Sequence, residues 1–460
     1  MRLIFKMGSN TLTLIIFTSL LISSTTTTTA TATTKTAAAA GYDPCESSSS
    51  STDSDLSIIH IYGKCSPFAP HQTPWLNTVI NMASKLDPQR FAYLSSLVAS
   101  PKPTKVPIAS GQNVLNVGNY IVRAKIGTPA QLMFMVLDTS NDVAWVPCTG
   151  CSGCSSRLFS PNTSTSYLAS DCSLPECTQV RGLSCPTTGN GACFFNQSYG
   201  GDSSLFATLS HDSLTLGNDV IPNYAFGCIN AVSGGSIPPQ GLLGLGRGSM
   251  SLLSQSGSLY SGVFSYCLPS FRSYYFSGSL KLGSVGQPKN IRTTPLLKNP
   301  HRPSLYYVNL TGISVGKVKV PVAPELLSFD PNTGSGTIID SGTVITRFVQ
   351  PVYNALRDEF RKQVTGPFSS LGAFDTCFTA SNEDLAPPIT LHFEGMDLVL
   401  PMENSLIHSS AGSLACLSMA AAPGNVNSGL NVIANLQQQN LRILFDTANS
   451  RVGIARELCN

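Results

Sequence analysis

Two segments of the chain end an apolar run on an aspartate: "LDTSND" at residues 137–142 and "IIDSGT" at 338–343. Asp138 and Asp340 lie 340 − 138 = 202 residues apart. If the two turns meet, their carboxylates cannot both ionise easily and will share one proton. One is then a base and the other an acid. A water between them can lose a proton as it attacks an amide carbonyl, while the acid protonates the carbonyl oxygen. This chemistry needs no metal, cofactor or covalent intermediate. The pair titrates as a unit and should work best below neutral pH.

The neighbours suit that task. Thr139 and Ser341 each place a hydroxyl just after the aspartate, where it can bond across to the other turn. Ser140, Gly342 and Thr343 complete the turns, whose N–H groups can hold the carboxylates in one plane. Taken singly, Asp-Thr-Ser and Asp-Ser-Gly are more often plain turns. The case rests on the pair and on a second echo. "GLLGLG" places Gly244 at 244 − 138 = 106 residues after the first aspartate, and "NVIANL" places Ala434 at 434 − 340 = 94 after the second. Two halves of one design would set the aspartates across a pseudo-two-fold axis.

Elements must position these turns. "YIVRAKIG", the turn "TPAQ" and the buried run "LMFMVLD" predict two strands leading into Asp138. Short strands and turn signals continue to the end of the chain. The clear helix of this region is expected over 350–364, with Val352, Leu356 and Phe360 on one face. Upstream, residues 1–24 read as a signal peptide, with Arg2 and Lys6 before an apolar stretch. A low-complexity Thr/Ser run follows. Then come a strand in "LSIIHIYGKCSPF", a helical pattern over 75–100 interrupted at Pro88, and a Pro-rich linker. Residues 25–105 are therefore expected to be a low-complexity segment and pro-segment, removed near 101–106. Its Lys85, Arg90, Lys102 and Lys105 are candidates to pair with the carboxylates, or else solvated surface charges.

A net charge of +3 with 12% charged residues and no long basic run argues against nucleic acid as a partner. No later segment reads as a membrane span, and a monomer is expected. Fourteen cysteines behind a signal peptide suggest disulfides and a secreted protein of the apoplast or cell wall. The cluster "CTGCSGC" also has zinc-ligand gaps, but no partner pair matches it, and no metal is expected. Asn162, Asn196 and Asn309 head glycosylation sequons.

With these pieces in order from Tyr120 to about Arg456, the mature region resembles the pepsin-family aspartic proteases, and within them the nepenthesin-like plant subgroup. That subgroup carries a Cys-rich insert after the first motif, as residues 148–193 do here, and "DSGT" and "QQQN" are typical of its second half. The resemblance implies a mostly β, bilobal fold with pseudo-two-fold symmetry and a cleft between lobes spanning 106–300 and 301–460. It implies Asp138 and Asp340 as the catalytic pair. It implies Tyr199, in "QSYGGDSS", as the tyrosine of a substrate-covering flap, Trp145 as its brace, and a Cys377–Cys416 disulfide. The implied substrates are proteins or peptides.

There are departures from the family pattern. Ser140 stands where glycine is usual; at positive φ it would cost ~1 kcal/mol or more, and at negative φ little. Leu205, Phe206 and Ala207 replace the usual glycine after the flap, Ala434 replaces a second glycine, and a glycan on Asn196 would narrow access. A rival reading is a non-catalytic relative that binds another secreted protein, such as a glycosidase. A third, a zinc-binding cell-wall protein, predicts free thiols.

Overall fold

The computed structural model describes residues 55–60, 75–98, 119–155, 157–186, 191–199, 202–270, 278–409, 411–424 and 429–459, all within a compact unit spanning 44–460. The expected signal peptide, the low-complexity run, Cys45, Cys65, Lys102, Lys105 and the expected processing region lie outside the described residues.

The chain is mostly β, in two sheet-rich lobes with few helices. Tyr120–Ile126 pairs antiparallel with Gln131–Asp138, as the sequence predicts. The second strand is an almost unbroken apolar run because most of its residues are buried on either face. It runs parallel to Leu242–Gly244, which puts Gly244 opposite Asp138. The second half repeats the plan: Gly336–Ile339 runs parallel to Leu430–Ile433, and Asp340 N donates to Ile433 O at 3.0 Å. Each aspartate thus sits at the C-terminal end of a strand clamped by a later apolar strand.

Strands from both halves also pair with one another. Val263–Cys267 is antiparallel to Leu441–Asp446, and Arg292–Leu297 to Arg451–Arg456. Beneath the first turn, Tyr306 packs on Phe445 at 4.4 Å and its hydroxyl donates to Leu245 O at 2.7 Å. Leu245 N in turn donates to Asp138 O at 2.9 Å, so the core holds the turn from below.

Gln350–Gln363 is the expected helix, with Val352, Leu356 and Phe360 buried. It stops one residue before the expected end, with Val364 already extended. Further short helices, Leu252–Gln255 and Met402–Ser405, lack a helical pattern long enough to read in sequence. Pro88 does not interrupt the upstream helical segment. Trp75–Asn81 continues through a π turn, Met82–Leu86, into Asp87–Val98. Asp87 N donates back to Met82 O, five residues away, and Pro88 follows at a place where no N–H is required.

Six disulfides join the described cysteines: Cys148–Cys228, Cys151–Cys154, Cys172–Cys185, Cys177–Cys193, Cys267–Cys459 and Cys377–Cys416. The expected Cys377–Cys416 bond is among them. The thiols of "CTGCSGC" are oxidised, which removes the thiolates a zinc reading requires. Among the described residues, no helix is long and apolar enough to cross a membrane.

Candidate active site

The two turns meet, and they grip each other reciprocally. Ser341 N donates to Thr139 Oγ1 at 3.0 Å, and Thr139 N to Ser341 Oγ at 3.2 Å. Ser341 Oγ also donates to Leu137 O at 2.9 Å, which locks its rotamer. Both hydroxyls thus stand where the sequence places them. This lattice fixes the carboxylates from the backbone side, and both are buried.

Each carboxylate is held by its own turn. Ser140 N donates to Asp138 Oδ1 at 2.8 Å, and Gly342 N to Asp340 Oδ1 at 3.0 Å. The other oxygen takes a side chain three residues on: Asn141 Nδ2 to Asp138 Oδ2 at 2.8 Å, and Thr343 Oγ1 to Asp340 Oδ2 at 2.6 Å. Burial, with Asp138 nearby, raises the pKa of Asp340, although Arg90 and the Thr343 hydroxyl act against the shift.

Ser140 is not strained. The positive-φ non-glycine residues among those described are Asn223, Ser261, Asn440 and Ser450, so the ~1 kcal/mol penalty does not arise. Its hydroxyl instead adds a donor to Asp138 Oδ1 at 2.8 Å. Gly342 has no such freedom. A Cβ there would lie 2.8 Å from Asp138 Oδ2. Ala434 is accommodated with its side chain buried and its N–H donating to Thr346 Oγ1 at 3.0 Å. At the related first-half position, a Cβ on Gly244 would meet Asp142 O at 2.1 Å.

The upstream helical segment enters this site. Arg90 Nη2 lies 2.8 and 2.7 Å from the two oxygens of Asp138 and 3.8 Å from Asp340 Oδ2, and it also donates to Ser140 Oγ. Of the described basic candidates, Arg90 meets the carboxylates while Lys85 is exposed. Asp87 accepts Val344 N at 3.3 Å and Ile345 N at 3.1 Å; its burial outweighs the nearby Arg347 and raises its pKa to about 6. Apolar packing completes the docking. Val79, Met82 and Ala83 pack with Val344, Ile345 and Phe374, and Phe91 and Leu94 with Leu305 and Tyr307.

Tyr199 is buried against Trp145, ring centroids 5.8 Å apart and planes at 90°. Tyr199 follows the strand Phe194–Ser198, which pairs with Ser204–Leu216 as a hairpin, and the Arg90 guanidinium lies 6.0 Å from its ring. Ala207 is buried within that hairpin, opposite Phe195. Of the sequons, Asn196 lies on the hairpin strand Phe194–Ser198. Asn162 and Asn196 are exposed, while Asn309 is half-buried and donates to Glu394 Oε2 at 2.8 Å.

The sequence reading missed Asn141. Besides bonding Asp138, its Oδ1 accepts Gln197 Nε2 at 2.9 Å, linking the first turn to the hairpin strand. The signal was available, because Asn141 stands three residues after Asp138 as Thr343 does after Asp340.

Fold and site together define a bilobal, pepsin-like architecture with a carboxylate pair where the two halves meet. Residues 120–284 match the xylanase inhibitor N-terminal domain and residues 305–456 the xylanase inhibitor C-terminal domain. The chain is 65% identical to Aspartyl protease AED3 of Arabidopsis thaliana, over 91% of this chain and 94% of that protein. It is 35% identical to aspartic proteinase nepenthesin-1 of Nepenthes gracilis, over 81% and 84%. The crystal structure of edgp shares the fold, with a TM-score of 0.60 at 20% identity, covering 75% of this chain and 92% of that one. The chain belongs to the pepsin-like aspartyl protease family, and its class is that of aspartic-type endopeptidases, hydrolases acting on proteins or peptides.

Proposed function

We propose that Asp138 and Asp340 hydrolyse peptide bonds by activating one water, below neutral pH. The observation carrying this reading is the reciprocal Thr139–Ser341 grip, which presents two buried carboxylates to one guanidinium. Asp340, whose pKa is raised, holds the shared proton and acts as the acid. Asp138, supplied with donors from Ser140 and Asn141, acts as the base. Activity falls as pH rises through the raised value of Asp340, because the acid is then lost. Tyr199 closes over the substrate, braced by Trp145.

In this reading residues 75–98 belong to the pro-segment of a zymogen, within residues 25–105. Arg90 occupies the place of the attacking water and its carbonyl target. The precursor is secreted to the apoplast or cell wall as a monomer, with Asn162 and Asn196 exposed for glycosylation. The test uses processed chain, a denatured protein substrate and pH 3 to 7, with and without a transition-state-mimicking inhibitor. Asp138→Ala and Asp340→Ala should each reduce cleavage by ~10⁴-fold. Substantial activity in either variant overturns the assignment.

A second reading, a binder that inhibits a secreted glycosidase, is favoured by the descriptions of the two matching domains. It predicts stoichiometric xylanase inhibition unaffected by Asp138→Ala.

A further inference from the structure

Two cavities flank the dyad, and they differ in what fills them. One, of about 30 Å³, is lined by Asp138, Tyr199 and Gly342 together with Asp87 and Arg90 of the helical segment. The other, of about 280 Å³, begins at Ser140 and Asn141 and has no lining residue from that segment. It therefore stays open while the first is plugged.

The lining of the larger cavity is chemically directed. Phe195, Met250 and Leu305 give it apolar walls. Arg181 and Arg302 reach it from separate parts of the chain. Arg181 is exposed but sits on a fastened loop. Cys177–Cys193 and Cys172–Cys185 bracket it, and Asn196 N donates to the carbonyl of the next residue, Gly182, at 2.9 Å. Arg302 is half-buried, and its backbone N donates to Asn299 Oδ1 at 3.1 Å. The acidic lining residue is Asp142. Its carboxylate accepts Gly248 N at 2.8 Å and Ser304 Oγ, and its burial raises its pKa against the pull of those two bonds and of the Arg181 charge. A cavity lined by two arginines and by apolar side chains suits a side chain with a short apolar stem and a carboxylate tip.

We propose that this cavity is a specificity site for an acidic residue, Asp or Glu, on one side of the scissile bond. The proposal rests on the reading of Asp138 and Asp340 as the catalytic pair, since that reading places the scissile bond beside Ser140. The charges that set its pH dependence are Arg181, Arg302 and Asp142, with Asp138 acting on Asp142 from beside the cavity. Arginines stay charged throughout, so the response follows the substrate carboxylate, which ionises near pH ~4. Asp142 adds to the attraction at acid pH, where its own charge is lost.

The test is a peptide set carrying Glu, Gln or Lys at each of three positions on either side of one cleavable bond. Processed chain should cleave the Glu peptide ~10-fold better than the Lys peptide at one position at pH 5.5, and the ratio should shrink at pH 3. Arg181→Glu should invert it. A Glu-to-Lys ratio near one at every position, or one unchanged by Arg181→Glu, overturns the proposal. If no peptide is cleaved at all, the catalytic reading fails, and the cavity is tested by binding. Labelled Glu and Lys peptides are then titrated into the uncleaved precursor by fluorescence anisotropy. Tighter Glu binding that Arg181→Glu abolishes supports the site, and equal binding of both peptides overturns it.

Discussion

The Asp138 turn and the Asp340 turn occupy equivalent places in the two halves, yet they treat their carboxylates differently. Asp138 receives Ser140 N, Ser140 Oγ and Asn141 Nδ2, each at 2.8 Å, before Arg90 is counted. Asp340 receives Gly342 N and Thr343 Oγ1, with Thr139 Oγ1 more distant at 3.5 Å. Donors favour a charged carboxylate, and burial favours a protonated one. The first turn crowds its carboxylate with donors, and in the second burial raises the pKa of Asp340. Two copies of one motif thus surround their carboxylates with unlike donors without losing the backbone symmetry that lets them grip. The residue that looks like a defect in sequence, Ser140, belongs to that division.

Arg90 should expose the asymmetry most strongly, because it is 2.7 Å from Asp138 but 3.8 Å from Asp340. Breaking a buried, hydrogen-bonded pair typically costs ~3–5 kcal/mol. Arg90→Ala should therefore raise reporter-peptide cleavage by the uncleaved precursor ~100-fold or more. Arg90→Lys keeps the charge without the planar fork and should fall between. A precursor that stays silent with Arg90→Ala shows that Asp87 and the apolar contacts of Phe91 and Leu94 hold the segment by themselves.

Gly342→Ala attacks the comparison from the other turn. Were the turns interchangeable, a side chain would be tolerated here as at Ser140. The added methyl would instead press on Asp138 Oδ2. Activity should drop ~100-fold, which corresponds to ~2.7 kcal/mol in the barrier. Circular dichroism should show the fold retained. Near-normal kcat would mean that the first carboxylate has room to shift.

Much of this asymmetry was hidden in the sequence, for a definite reason. Asp138, Asp340, Thr139 and Ser341 were legible because strand, aspartate and hydroxyl recur together 202 residues apart. The helix at 350–363 was legible because its apolar spacing is local. Trp145 and Tyr199 drew their pairing from family resemblance, since at a separation of 199 − 145 = 54 residues there is no local signal of contact. Which basic residue reaches the dyad depends on helix phase through the π turn at Met82–Leu86, and that turn is set by tertiary packing. Disulfides such as Cys267–Cys459, 192 residues apart, and the presence of Arg181 and Arg302 in the lining of one cavity are likewise products of the folded topology.

The helical segment carries two carboxylate contacts whose pH responses oppose each other. Protonating the carboxylate pair, whose Asp340 member is raised by burial, removes charge that Arg90 pairs with, so acid weakens that contact. Asp87 works the other way. Its pKa is 3.8 when free and about 6 when docked. The docked form binds the proton more tightly, so its contribution favours docking at acid pH and is lost as pH rises from about 4 through about 6. Arg347 and Asp340 are the charged groups acting on it. Asp87→Asn should remove that loss, leaving the segment more firmly docked at pH 6 to 7 and more sharply released by acid. Limited proteolysis of the precursor across pH 3 to 7 checks this. Superimposable curves for the two proteins would sink the assignment to Asp87.

The smallest expected effect is the most discriminating, because it separates the two things Ser140 brings to its turn. Its Cβ occupies space that the glycine of the second turn leaves empty, and its hydroxyl donates to Asp138 Oδ1. Ser140→Ala keeps the Cβ and removes the donor, whereas Ser140→Gly removes both. A hydrogen bond to a charged group contributes ~1.5–3 kcal/mol at most, and Ser140 N still serves the same oxygen. The loss in kcat should therefore be modest, roughly 3- to 10-fold. Because φ at Ser140 is not positive, glycine relieves no strain there, and the two variants should lose about the same activity. Equal losses assign the effect to the hydroxyl and keep the turns chemically distinct. Full activity in both variants would make Ser140 a neutral replacement and leave Asn141 as the residue that sets the first carboxylate apart.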